Sequence, residues 1–267
     1  MKRALLILTL LSLASTLRAD EWQEVAPGVA YRRYLGDGRD IHVTRIDLAS
    51  EQVRIISTQE DERGLGVSEF AKLKKAIVAI NADYFDKEFQ PVGLAIGPCG
   101  RWKGTPSSSV RRQGLVGFGP RLITIRRYTD DGPIPGWVTS GVSGWPILVE
   151  NCHAFSAKAL PGSDYFTRAP LPRTAVGSSW TGRFVYFVVA DGRRKEAPGV
   201  TLEELGRFMR NELGICTAMN LDGGGSSAMW VRDRIVNIPS DGPERHVANH
   251  LAVIACEDDR GCVFGTE

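Results

Sequence analysis

Several things are scarce in this 267-residue chain, and each scarcity excludes a class. Only five cysteines occur and none is spaced as Cys-x-x-Cys, so a structural zinc site of the usual kind is not encoded. Neither GxxxxGK[ST] nor GxGxxG is present, which removes the two common nucleotide fingerprints. Charge of one sign is not in excess: 33 Lys and Arg stand against 31 Asp and Glu. That balance argues against nucleic acid or an anionic membrane surface as partner. With 43% apolar and 24% charged residues, and no repeat or low-complexity tract, a disordered or fibrous chain is excluded as well. No apolar run reaches the roughly 20 residues of a membrane-spanning helix.

What is present begins with a leader. Met1-Lys2-Arg3 is followed by the uncharged apolar run Ala4–Leu17 and by Leu17-Arg18-Ala19, with a small residue before Asp20. This is the layout of a secretory signal peptide over 1–19, and it predicts export to the periplasm or beyond. Loss of Lys2, Arg3 and Arg18 with the leader leaves acidic and basic residues almost equal. Residues 20–267 are long enough for one large domain with a real core. Export implies an oxidising compartment in which disulfides persist. Cys256 and Cys262 bracket a short polar loop and are the expected bridge; Cys216, in an apolar run, is expected to remain a buried thiol. The odd count leaves at least one thiol without a partner inside the chain.

Short Val- and Ile-rich runs bounded by Gly, Pro, Asp or Asn predict strands at 42–48, 53–57, 77–80, 92–96, 121–125, 184–190, 216–221, 228–231, 234–238 and 251–256. Two helices are expected. One follows Gly66 or Ser68. The other opens on a capping box of Thr201 and Glu204 and carries the apolar stripe Leu202, Leu205, Phe208, Met209 and Leu213. Stretches 98–114 and 130–144 read as loops. Many strands and few helices without regular alternation predict an α+β fold: mixed, mostly antiparallel sheets with a few flanking helices in a single domain.

The most unusual segment is Asn220-Leu221-Asp222-Gly223-Gly224-Gly225-Ser226-Ser227. Three glycines allow close approach and positive φ, and such a bend can present N–H groups to an anion. It can equally be a hairpin loop in which Asp222 bonds its own turn. Ser226 lacks the closing glycine of a nucleophile elbow, which speaks against a serine hydrolase. Polar groups also gather at four other strand ends: Asn81-Ala82-Asp83, Arg173, Ala190-Asp191-Gly192-Arg193, and Glu244-Arg245-His246-Val247-Ala248-Asn249-His250. Loops on a rigid sheet are where sites usually lie.

Together, NADYF (81–85), PRTAVG (172–177), VVADGR (188–193), GVTLEEL (199–205), NLDGGGSSAM (220–229) and VNIPSDGPERHVANHLAV (236–253) resemble the phosphodiester glycosidase family, in the family's order across about 75–256. Ala82-Asp83 departs from the family's Gly-rich turn. The resemblance implies hydrolysis of a sugar-1-phosphate diester at its glycosidic C–O bond, releasing sugar and a phosphomonoester. That chemistry needs a carboxylate beside an oxocarbenium-like centre and donors for the leaving phosphate. On it, Asp191 and Asp222 are the candidate catalytic carboxylates, and Arg173 and Arg245 the phosphate clamps. Asn81, Asp83, Gly223, Gly224, Gly225, Ser226, Ser227, Glu244, Asn249 and His250 are candidate substrate contacts. No metal and no cofactor is expected. The expected partner is a phosphorylated glycan. Two alternatives stand: cleavage of an ordinary glycosidic bond, and a non-catalytic envelope or exopolysaccharide-binding protein using Trp102, Trp137, Trp145 and Trp180.

Overall fold

The computed structural model describes residues 21–103, 114–128 and 133–256. The predicted leader, Cys262 and most of the predicted 98–114 loop lie outside the described residues. Among the described residues, the strands form three sheets. The largest has eight strands in the order Gln23–Ala26, Val29–Gly36, Arg39–Asp47, Phe184–Ala190, Arg173–Ser178, Thr217–Asn220, Ile147–Glu150 and His153–Ala154. A five-stranded sheet runs Gly100–Arg101, Ile96–Gly97, Ser140–Ser143, Gly114–Gly119, Leu122–Arg127. The other five-stranded sheet runs Arg234–Ile235, Met229–Val231, Val78–Asn81, His250–Ala255, Val53–Ser57. Every pairing among the described residues is antiparallel.

All three sheets turn a face to one core. Ile46, Val176 and Phe187 meet Val116, Phe118 and Val142, and these meet Ile80, Leu251 and Val253. Helices cover two outer faces. Helix α1 (Val67–Leu73) packs Val67, Phe70 and Ala71 on Ile56, Ala79 and Ala252. A short helix, α2 (Asp164–Arg168), precedes the strand headed by Arg173. Helix α3 (Leu202–Asn211) packs Leu202, Leu205, Phe208 and Met209 on Val43, Leu148, Val188 and Ala218. Its capping box forms as its residues require: Glu204 N donates to Thr201 Oγ1 at 3.1 Å, and Thr201 N to Glu204 Oε2 at 2.8 Å. Because α3 covers one face and the inter-sheet core the other, the Phe184–Ala190 strand is buried almost throughout, which explains its unbroken apolar run. Among the described residues no helix is long and apolar enough to cross a membrane.

Four expectations need correction. Cys216 is not a thiol: it is bonded to Cys152, 64 residues earlier. The pairing of Ile147–Glu150 with Thr217–Asn220 brings the two together, and Cys152 N donates to Cys216 O at 2.9 Å. Cys256 is also disulfide-bonded, while Cys99 is free and exposed. The predicted strand 92–96 contributes only Ile96 to a sheet, and the 130–144 loop contains the strand Ser140–Ser143. The strand expected over 234–238 stops at Ile235, because Asn237 and Ile238 turn to bind Asp191.

Candidate active site

The site is built where the Val78–Asn81, Arg173–Ser178 and Thr217–Asn220 strands end close together. Asn81 is fully buried and acts as a staple. Its Nδ2 donates to Asp222 O at 2.7 Å, and its Oδ1 accepts from Thr174 Oγ1 at 2.8 Å and Ala228 N at 3.3 Å. Thr174 Oγ1 also lies 3.3 Å from Ser227 Oγ. Asp222 N donates to Ala82 O at 2.9 Å. The turn 81–83 and the start of the glycine bend are therefore clamped in one register.

Asp83 lies beneath this clamp, 1% exposed. Its carboxylate accepts from Ser143 Oγ at 2.8 Å, from Ser143 N and from Asn249 Nδ2, and its own N–H donates to Asn249 Oδ1 at 2.9 Å. Burial pushes its carboxyl up to about 7; the donors of Asn249 and Ser143 pull the other way, and Asp222 adds to the rise. Asp222 is half-buried, with Oδ1 accepting from Gly223 N at 3.0 Å. Asp222 thus stands at the surface with a second carboxyl behind it.

The bend forms a short 3₁₀ turn, Gly224–Ser226. The expectation that Gly223 and Gly224 offer amides to an anion is not met, because those N–H groups bind Asp222 Oδ1 and Pro172 O. The glycines serve close approach instead. A Cβ at 223 would stand 2.8 Å from Pro172 O, and Gly224 adopts φ +62° beside the Arg193 guanidinium. A Cβ at 225 would fall inside the Asp241 carboxylate and the Arg245 guanidinium. Neither a side chain below nor one above is tolerated.

That outer rim is cationic. Arg245 donates through Nε to Asp241 Oδ2 at 3.1 Å, pairs with it again through a terminal nitrogen, and places the other 3.4 Å from Ser226 Oγ. Arg193 reaches Ser240 Oγ at 3.3 Å and Asp241 Oδ1 at 3.5 Å. Both guanidiniums are nearly half exposed. Sequence reasoning picked out Arg245 but assigned no role to Arg193 or Asp241. The available signals were the position of Arg193 directly after Asp191-Gly192 and that of Asp241 four residues before Arg245.

The other predicted residues lie nearby but face elsewhere. Asp191 is buried beside the bend. Its oxygens accept from Asn237 Nδ2 at 3.0 Å, Ile238 N at 3.1 Å and Arg194 at 2.8 Å, and Asn237 in turn holds Ser227 O and Met229 N. Asp191 thereby braces the bend from the side. Arg173 points to the α2–α3 side. Its Nε and one terminal nitrogen donate to the carbonyls of Val200, Phe166 and Ala169, and burial lowers its pKa to about 10. Glu244 accepts from Ser68 N at 2.8 Å in the first turn of α1. His250 stacks on Phe70 and bonds Thr58 and Leu65; burial lowers its pKa to about 3.

Asp40, His42 and Asp191 place ligand-type atoms within 4.8 Å of one another. However, all four carboxylate oxygens already accept from N–H donors of Arg33, Arg194, Asn237 and Ile238. Burial would raise the Asp40 carboxyl, but Arg33 and His42 hold it well below the usual range. The cluster is neutralised by guanidinium rather than arranged for a cation. A cavity of about 450 Å³ elsewhere is lined by Ser156, Lys158, Thr167, Arg168, Thr201 and Glu203, none of them a candidate site residue. Of the four tryptophans considered for sugar stacking, Trp102 is buried with Nε1 on Thr58 O and Trp145 stacks on Phe166. Trp180, at a hairpin tip, is 75% exposed.

The folded chain is similar to the catalytic domain of zebrafish N-acetylglucosamine-1-phosphodiester alpha-N-acetylglucosaminidase, auto-inhibited by its pro-peptide, with TM-score 0.67 and 19% identity over 90% of this chain and 84% of that one. It is similar also to a hypothetical protein from Synechocystis, with TM-score 0.64 and 14% identity over 86% of this chain and 62% of the other. At these identities the likeness establishes the fold. In sequence it is 28% identical over 202 residues to the uncharacterized SPbeta prophage-derived protein YomE of Bacillus subtilis, covering 74% of this chain. It spans about a third (31%) of that relative's length. The phosphodiester glycosidase family model matches residues 74–254, which hold the staple, the bend and the rim alike. The chain belongs to the phosphodiester glycosidase family.

Proposed function

We propose that the protein is an exported hydrolase that cleaves the glycosidic C–O bond of a sugar-1-phosphate diester. The observation that carries this reading is the rim. Two guanidiniums converge on one carboxylate over the glycine bend, which follows directly on the half-buried Asp222. Paired guanidiniums suit a phosphate, whose leaving group needs charge compensation more than a proton. On this reading Asp222 stabilises an oxocarbenium-like centre next to that phosphate. Asn81 and Asp191 keep the bend and Asp222 in place, and Arg173 buttresses the strand below. Asp83, whose carboxyl burial pushes up to about 7, lies close enough to Asp222 for that residue's charge to add to the rise. The leader-like residues 1–19 and the Cys152–Cys216 bridge favour an oxidising, extracytoplasmic location.

The test is incubation of purified protein with GlcNAc-1-phosphate diesters, UDP-GlcNAc and plain aryl glycosides, followed by product analysis. Free sugar and a phosphomonoester from the diesters alone are expected. Release from aryl glycosides alone would move the reaction to an ordinary glycosidic bond. No turnover of any substrate would leave a binding protein.

A further inference from the structure

One feature of the rim is unexpected for an anion seat: it is already filled by the protein. Asp241 lies over Gly225 so closely that no Cβ fits between them, with Oδ2 on Arg245 and Oδ1 toward Arg193. The carboxylate sits where an incoming anion finds both guanidiniums at once. It belongs to an exposed turn, in which Gly242 N bonds Pro239 O at 3.1 Å and Gly242 has φ +90°. The turn is pinned at both ends, by Ile238 N on Asp191 and by Glu244 on Ser68 N. Asp241 itself is a third exposed, so its side chain has solvent into which to swing while the backbone stays anchored.

We infer that Asp241 is an internal competitor for the anion seat: phosphate must displace its carboxylate from Arg193 and Arg245, and that exchange sets how tightly phosphate is held. The inference rests on the proposed use of this rim for a phosphate. A diester carries one negative charge, as Asp241 does, whereas a phosphomonoester carries about −1.5 to −2 at neutral pH. The seat without Asp241 would therefore hold the phosphomonoester product most strongly. With Asp241 returning to the seat, product leaves more readily.

The experiment is calorimetric titration of the full chain with inorganic phosphate, comparing wild type with Asp241→Asn, Asp241→Ser and Arg245→Met. Both Asp241 variants are expected to bind phosphate about tenfold more tightly, the gain if the seat is free about a tenth of the time in wild type. Arg245→Met is expected to lose binding. Equal or weaker binding in both Asp241 variants, with unchanged melting temperature, would overturn the proposal by showing that Asp241 merely holds the arginines in place. Absence of phosphate binding in every variant would overturn it too. Because binding is read without turnover, tighter phosphate in an inactive enzyme sinks only the reaction. Unchanged phosphate affinity in an enzyme active on diesters sinks only the competitor.

Discussion

The rim and the floor of the site use polar groups in opposite ways. On the rim, Arg193, Asp241 and Arg245 are exposed, charged and held by contacts that solvent screens. On the floor, Asn81, Asp83, Thr174, Ser227 and Asn249 are buried and bound to one another or to backbone. Exposed charges can exchange partners at little cost, whereas a buried polar group that loses its partner bears the full desolvation penalty. On the proposed function, the rim takes and releases the ligand and the floor fixes the geometry in which it does so. Asp222 stands at their junction, its backbone stapled by Asn81 and its carboxylate turned toward the bend.

Three measurements would break or sharpen this contrast. The largest effect is expected from replacing both rim arginines. Arg193→Met with Arg245→Met should lower kcat/KM on a sugar-1-phosphate diester by about 10⁴, roughly a hundredfold for each charge-assisted donor, with the unfolding midpoint little changed. A large loss of stability would show that the rim also holds the fold. Next comes the floor: Asn81→Ala removes a donor and an acceptor that serve three partners, the Thr174 hydroxyl, Ala228 N and Asp222 O. It should lower the unfolding free energy by on the order of 3 kcal/mol in urea titrations. Unaltered stability would make the staple dispensable.

The smallest effect is a pH slope. Asp83 titrates at about 7 in the fold against an ordinary 3.8, so the native state holds its proton longer, and this group makes stability fall as pH rises from about 4 to 7. His250 titrates at about 3 against 6.5, so it makes stability rise over about pH 3 to 6.5. Across their shared window the two slopes oppose each other. His250→Gln should therefore leave a stability that falls with pH relative to wild type, by at most about 1.4 kcal/mol per pH unit. Identical pH profiles of the urea midpoint for the two proteins would refute this opposition.

Much of the architecture was legible because it rests on local patterns. The capping box and stripe of α3, the Phe184–Ala190 strand and the antiparallel α+β class follow from spacing and apolar runs. The strand Gly114–Gly119 escaped because its glycines carry no β signal; those at 117 and 119 are required by the close approach of Val138 and Trp137. Val29–Gly36 was missed because Tyr31, Arg32, Arg33 and Tyr34 interrupt its apolar residues. For the site, the words around 81, 191, 222 and 245 marked the right neighbourhood but not which way each side chain turns. Alternation along Arg173–Ser178 sends Arg173 toward α2 and α3 and Thr174 toward Asn81.

By itself, then, the order of residues determined the fold class, the family and the set of strand ends at which polar groups collect, since periodicity and motif words are local properties of the chain. Only the tertiary structure decided that Arg193 joins Arg245 while Arg173 turns away, that Asp241 covers the glycine bend, and that Cys216 bonds Cys152. Those outcomes depend on strand pairing and sheet face, which bring distant residues within a few ångströms, and no local pattern encodes them.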